Sequence, residues 1–176
     1  WFKERNVHID HINVGGGLGI DYDSPDENPV PDFRTYFSIF HQYLELLPHQ
    51  KVHFELGRAV VAQAGNLISR ALFVKKGLST NFVILDAGMT ELIRPALYQS
   101  SHKIENLSQK AEAIAYKYDV VGPICESSDC FGKAIDLPLS KRMDIFAIRS
   151  AGAYGEVMRS NYNLRDNAKT LYSDEL

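Results

Sequence analysis

The chain has 176 residues, 45% of them hydrophobic, and a formal charge of -3, a balance that suits a soluble globular protein able to bury a sizeable core. Such mild acidity lacks the clustered Lys and Arg that nucleic acid or an anionic membrane selects, and no apolar run reaches the roughly 18 residues of a membrane-spanning helix. Two cysteines, Cys125 and Cys130, fit neither a metal knuckle nor a disulfide framework, so a reducing, cytoplasmic setting is expected.

At the N-terminus, Trp1 to Arg5 shows neither a starting Met nor the apolar stretch of a secretory leader, and the chain reads as a piece of something longer or a processed product. Residues 7–14, Val-His-Ile-Asp-His-Ile-Asn-Val, predict a short buried strand that stops at Gly15-Gly16-Gly17-Leu18-Gly19. His8 and His11 would face opposite sides of that strand, so the histidines are read as structural and no metal site is expected. The glycine run leaves two readings open. Its main-chain N–H groups could cradle a phosphate without Cβ atoms in the way, or it could be a tight turn with no ligand.

A Pro/Asp/Asn-rich stretch from Asp21 to Pro31 leads into a helical pattern, with Phe33, Tyr36, Phe37, Phe40, Leu44 and Leu47 on one face. Pro31 suits its first turn and Pro48 stops it. A second strand, Lys51 to Glu55, ends in Leu56-Gly57-Arg58. Strand, glycine loop, helix, strand, glycine loop is the grammar of an α/β barrel, whose sites lie at strand C-terminal ends. There Glu55 and Arg58 could serve a cationic ring nitrogen and an anionic group, or simply pair with each other.

Beyond about residue 65 the grammar changes. Segments 67–75, 81–86, 115–121, 132–137 and 144–150 are short β-type runs between turn residues, and Leu67, Ser69, Ala71 and Phe73 alternate onto one face. They predict an all-β domain, a sandwich or a partly open barrel. A complete eight-stranded α/β barrel takes about 250 residues. The expected fold is therefore α/β plus all-β. Residues 1–65 form the last strand–helix units of an incomplete (β/α)8 barrel. Residues 66–176 form a C-terminal β-sandwich or barrel-like domain with a small final barrel-facing segment.

Within that second part, Arg94-Pro95-Ala96-Leu97-Tyr98 and Gly152-Ala153-Tyr154-Gly155 set anion-binding or hydroxyl side chains beside backbone-shaping residues. Gly122-Pro123-Ile124-Cys125-Glu126-Ser127-Ser128-Asp129 puts a thiol beside two carboxylates with no neighbouring His to activate it, while Cys130 reads as a small buried hydrophobe. Taken in order with Asn13 to Gly19, Glu55 to Arg58 and Asp86-Ala87-Gly88-Met89, these segments resemble the diaminopimelate decarboxylases from about residue 7 to Tyr162. That family belongs to the pyridoxal-phosphate decarboxylases with an alanine-racemase-like barrel and a C-terminal β domain.

The resemblance implies a pyridoxal 5'-phosphate cofactor. Its phosphate would sit on Gly15, Gly16 and Gly17, its ring nitrogen would pair with Glu55, and Gly57, Arg58 and Tyr154 would make further contacts. Leu56 stands where the family usually has Pro, which frees a φ angle and restores an N–H. It further implies that Arg58, Arg94, Tyr98, Glu126 and Tyr154 hold the substrate. Arg94 would take the distal carboxylate and Glu126 the distal ammonium, and Cys125 would return the proton after CO2 leaves. The implied activity is decarboxylation of meso-2,6-diaminopimelate to L-lysine, the last step of lysine biosynthesis. The implied partner is a second copy in a cytoplasmic homodimer with shared active sites. The Schiff-base lysine of the family lies outside this chain, so the piece alone is expected to be inactive. Decarboxylation of ornithine, arginine or carboxynorspermidine, or a non-catalytic binding or dimerisation role, are the alternatives.

Overall fold

A computed structural model of the chain describes residues 3–110 and 114–175; Trp1 and Phe2, read above for a leader, lie outside the described residues. The first strand, β1 (His11–Asn13), runs parallel to β2 (Lys51–His53), with His11 opposite Lys51 and Asn13 opposite His53. Helix α1 (Phe33–Tyr43) makes the crossover, as a parallel pair requires. The Asp32 side chain caps it by accepting the Thr35 N–H at 2.9 Å, which leaves Pro31 outside the helix rather than in its first turn. The helix also stops a turn earlier than its apolar stripe. Leu44 is already extended, and the Leu47 N–H is taken by the Gln50 side chain.

Helix α1 has no buried residue. Its stripe leans on one side chain: Tyr36, Phe37 and Phe40 meet the Phe54 ring at 6.0, 4.9 and 5.0 Å. After β2 come a short helix α2 (Gly57–Val61) and a 3-10 turn over Ala62–Ala64.

The rest is one six-stranded mixed sheet built from β3 (Leu67–Lys76), β4 (Asn81–Leu85), β5 (Ile104–Asn106), β6 (Ala115–Val121), β7 (Cys130–Pro138) and β8 (Ile145–Ile148). The spatial order is β5-β8-β3-β4-β6-β7, antiparallel except for β4 against β6. All six strands belong to a single sheet, so the fold is not a two-layered sandwich. The edge strands β5 and β7 also touch each other, which makes the sheet nearly closed. Its core joins Ala71, Val83, Leu85, Tyr118, Val120, Leu137, Phe146 and Ile148. Among the described residues none before Ala71 is a buried member of that cluster, and Leu67 packs against it partly buried.

Two details differ from the sequence pattern. A bulge between Ala71 and Phe73 shifts the pairing of β3 with β4. Phe73 is therefore turned outward, 58% exposed, and Val74 packs on the core instead. Helix α3 (Arg94–Tyr98) and strand β5 stand where the sequence suggested turns.

The Asp21–Pro31 stretch is bound to this sheet domain rather than to the β1–β2 pair alone. Arg149 donates to Asp26 at 2.6 Å and to Glu105 at 2.7 Å, and Lys103 reaches the same two acids at 3.1 Å. The Arg149 guanidinium, with help from Lys103, holds the Asp26 carboxyl below its ordinary value. The Lys103 N–H also donates to the Tyr22 carbonyl.

Candidate active site

The first cluster grows from the end of β1. The Asn13 amide has two tasks: Oδ1 accepts the Gly15 N–H at 2.8 Å, and Nδ2 donates to Glu55 Oε1 at 2.5 Å. The Glu55 N–H donates to the Gly15 carbonyl at 2.8 Å. Gly15 and Gly17 have φ of 72° and 101°, a left-handed backbone that side chains resist. A Cβ on Gly16 would lie 2.5 Å from the Glu55 carbonyl oxygen. All three glycines are thus required by shape, for different reasons. The N–H groups of Gly16 and Gly17 have no partner among the described residues, so they are available to an anion.

Glu55 is paired with Asn13, and no ion pair joins it to Arg58 among the described residues. The mutually paired reading of these two charges is therefore not realised. Gly57 and Arg58 open α2. The far end of α2 receives the Gly152 segment at backbone contact: the Gly152 N–H donates to Ala62 O at 2.9 Å and the Ala151 N–H to Gly65 O at 2.7 Å. A Cβ on Gly152 would press into the Val61 carbonyl. Tyr154 follows two residues after this contact. Tyr154 is 47% exposed with φ of 62°, a conformation that costs a non-glycine residue about 1 kcal/mol.

The second cluster centres on Arg94, which is only 5% exposed. Its guanidinium donates to His102 Nε2 at 3.0 Å and lies 4.9 Å from the Tyr22 ring centroid. The Nδ1 of His102 bonds the Arg149 carbonyl at 2.8 Å. Burial, and then the Arg94 charge, push the His102 ring below its ordinary value. No acid pairs with Arg94 among the described residues. A buried cation held by a neutral ring and an aromatic face is short of an anion. The Tyr22 hydroxyl beside it is also buried, without a partner among the described residues. Tyr98, at the other end of α3, is exposed.

The third cluster is the 122–130 turn. Cys125 and Glu126 are both exposed, and Glu126 accepts from the Tyr162 hydroxyl at 2.6 Å, a bond that raises the Tyr162 hydroxyl above its ordinary value. No hydrogen bond or ion pair among the described residues joins Cys125 or Glu126 to the Gly15–Glu55 cluster. Cys130 is half-buried at the start of β7, and burial raises its thiol.

Asn13, Tyr22, His102 and Tyr162 were not singled out in the sequence, although each touches a residue that was. Only Asn13, two residues before Gly15, lay close enough to be noticed. His8, Asp10 and His49 also come together, with ligand atoms within 4.8 Å. Yet the His8 and His49 rings stack at 4.4 Å and 15°. Nitrogen lone pairs lie in the ring planes, and two nearly parallel planes cannot both aim at one ion roughly 2.1 Å away.

The model for the C-terminal sheet domain of pyridoxal-dependent decarboxylases matches residues 21–152. A diaminopimelate decarboxylase of Bacteroides thetaiotaomicron is 60% identical over 174 residues, covering 99% of this chain and 45% of the relative. Its counterpart in Vibrio cholerae is 44% identical, over 98% of this chain and 40% of the relative. The crystal structure of diaminopimelate decarboxylase from Helicobacter pylori complexed with L-lysine superposes with a TM-score of 0.73 at 36% identity, covering 92% of this chain and 39% of that one. The chain thus spans less than half the length of each of these relatives.

Proposed function

The chain belongs to the pyridoxal-dependent decarboxylases, and from that premise we propose that the full-length protein decarboxylates meso-2,6-diaminopimelate to L-lysine and CO2. Arg94 is the observation that carries the choice of substrate. Its buried guanidinium lacks an acid among the described residues. Diaminopimelate brings a carboxylate at its far end, whereas ornithine and arginine bring a cation there. A planar guanidinium suits that carboxylate, and Glu126 suits the ammonium beside it.

The residues at the end of β1 and β2 fit pyridoxal 5'-phosphate. Gly16 and Gly17 offer free N–H groups to a phosphate, and Asn13 steadies Glu55 for a protonated ring nitrogen. When bound, the cofactor supplies an electron sink for the pair left behind by departing CO2. Cys125 then delivers a proton to the reacting carbon. Gly57, Arg58, Tyr98 and Tyr154 complete the contacts to cofactor and substrate.

In this reading residues 1–65 are the last strand–helix units of a (β/α)8 barrel and residues 66–176 the C-terminal β domain. The parallel β1–β2 pair with its helical crossover, and a core confined to the sheet domain, support the division. The Cys125–Glu126 turn serves the site of a second copy, so the working unit is a cytoplasmic homodimer. The test is CO2 release by the full-length protein from diaminopimelate and, separately, from ornithine. Arg94→Ala should lower kcat/KM on diaminopimelate about 100-fold or more while cofactor absorbance is retained. Unchanged efficiency in that variant would remove the substrate assignment.

A further inference from the structure

We infer that Asp129 is a positioning residue that holds Cys125 and Glu126 in their working place, an inference that rests on the decarboxylase reading of that turn. Asp129 is 3% exposed, a buried acid in the same turn as Cys125 that bonds the residues on either side of it. Its carboxylate is divided between two loops: Oδ1 accepts the Met89 N–H and Oδ2 the Ile124 N–H, each at 2.7 Å. Its main chain closes the turn as well. The Asp129 carbonyl accepts from Gly122 at 3.0 Å, and its N–H donates to the Glu126 carbonyl at 3.1 Å.

Cys125 therefore sits between two residues, Ile124 and Glu126, that are each tied to Asp129. The bond to Met89 fastens the same turn to the 86–89 loop, from which the chain runs on to Arg94. The thiol, the acid and the guanidinium are thus referred to one carboxylate.

Space for that carboxylate is provided by two glycines. A Cβ on Gly88 would stand 3.0 Å from both of its oxygens, and a Cβ on Gly122 would press into them. Neither glycine has a positive φ, so close approach, not backbone freedom, is what requires them. Burial pushes the Asp129 carboxyl up from its ordinary value, and the Ile124 and Met89 N–H groups draw it back. Two converging N–H donors call for an acceptor on each oxygen. An amide in that place would turn an NH2 toward one of them and leave it unpaired.

The experiment is Asp129→Asn in the full-length protein, read in two independent ways. On diaminopimelate, kcat should fall by about 10-fold to 100-fold, since small displacements of a reacting group cost rates of that order, while cofactor affinity and the absorbance maximum hold. A merely structural loss would lower cofactor occupancy and activity in proportion. Independently of turnover, the alkylation rate of Cys125 by iodoacetamide, followed on its own peptide by mass spectrometry, should change about threefold or more as the turn loosens. Should the Asn variant fail to fold, Asp129→Glu keeps both acceptor oxygens, adds one methylene, and should show the same pattern more weakly. Wild-type kcat together with an unchanged alkylation rate in the folded variant would overturn the inference. If the wild-type protein releases no CO2 from diaminopimelate, the decarboxylase reading falls, and the alkylation rate alone decides whether Asp129 holds the turn.

Discussion

His102 bonds the Arg149 carbonyl through Nδ1 and must therefore accept from Arg94 through Nε2, an arrangement open only to the neutral ring. Burial keeps the folded ring below its ordinary 6.5, so in the acid range the unfolded chain takes up more protons than the folded one. Its contribution to stability is whole above about pH 6.5 and is lost as the pH falls from there toward the folded value. His102→Gln should remove that slope and cost about 1–3 kcal/mol at pH 8, because a buried partner loses its bond. Urea midpoints of the full-length protein at pH 8 and pH 5 give the comparison. If wild type and variant lose the same stability between the two, the buried neutral ring is not what Arg94 relies on. Such pairings explain which site residues were readable. The glycine run and the Glu55 segment advertise themselves by composition and by their place at strand ends. Tyr22 and His102, 80 positions apart, meet only through the folded path of the chain, and a lone Tyr and a lone His give no local sign of it.

Among the elements, α1 depends on a narrow contact. Three of its rings converge on Phe54, and none of its residues is buried. Phe54→Ala should therefore cost about 2–3 kcal/mol locally, toward the low end for loss of an aromatic ring because the site is only partly enclosed. Amide exchange over residues 33–43 should accelerate by about 10-fold or more while β3, β4 and β8 keep their protection. Equal acceleration in the sheet would mean that α1 is part of its cooperative unit. The helix itself was legible because its aromatic stripe repeats at helical spacing, and the five longer strands because their β-branched runs are bounded by turn residues. What was hidden depends on partners distant in sequence. Strand β5 is three residues long and is defined by its pairing with β8. The parallel β4–β6 pairing has no local signature. The bulge at Ala71/Phe73 reversed an alternation that looked regular, since a single extra residue exchanges the two faces of everything after it.

At the scale of the molecule, the site residues fall into groups with different addresses. Glu55 and the glycine loop share one cluster, while Cys125 and Glu126 stand exposed on a turn braced from beneath by Asp129. Under the proposed function the Cys125 thiol reaches a substrate held over Glu55, and since no bond joins it to that cluster among the described residues, a second copy would use it. In such a proposed dimer, twofold symmetry would make two equivalent mixed sites, each drawing Glu55 from one subunit and Cys125 from the other. Two full-length variants, Glu55→Gln and Cys125→Ala, should each be nearly inactive alone. Mixed at equal amounts under conditions that let subunits exchange, half of the dimers carry one of each, and each of those has one intact site out of two. Activity should recover to about a quarter of wild type. Subunits that supply both groups to their own site predict a different result, because every site in every mixture then lacks one of them. Recovery no greater than the sum of the two variants, with heterodimers demonstrated by native mass spectrometry, would exclude the shared site and leave the exposed thiol without its proposed use.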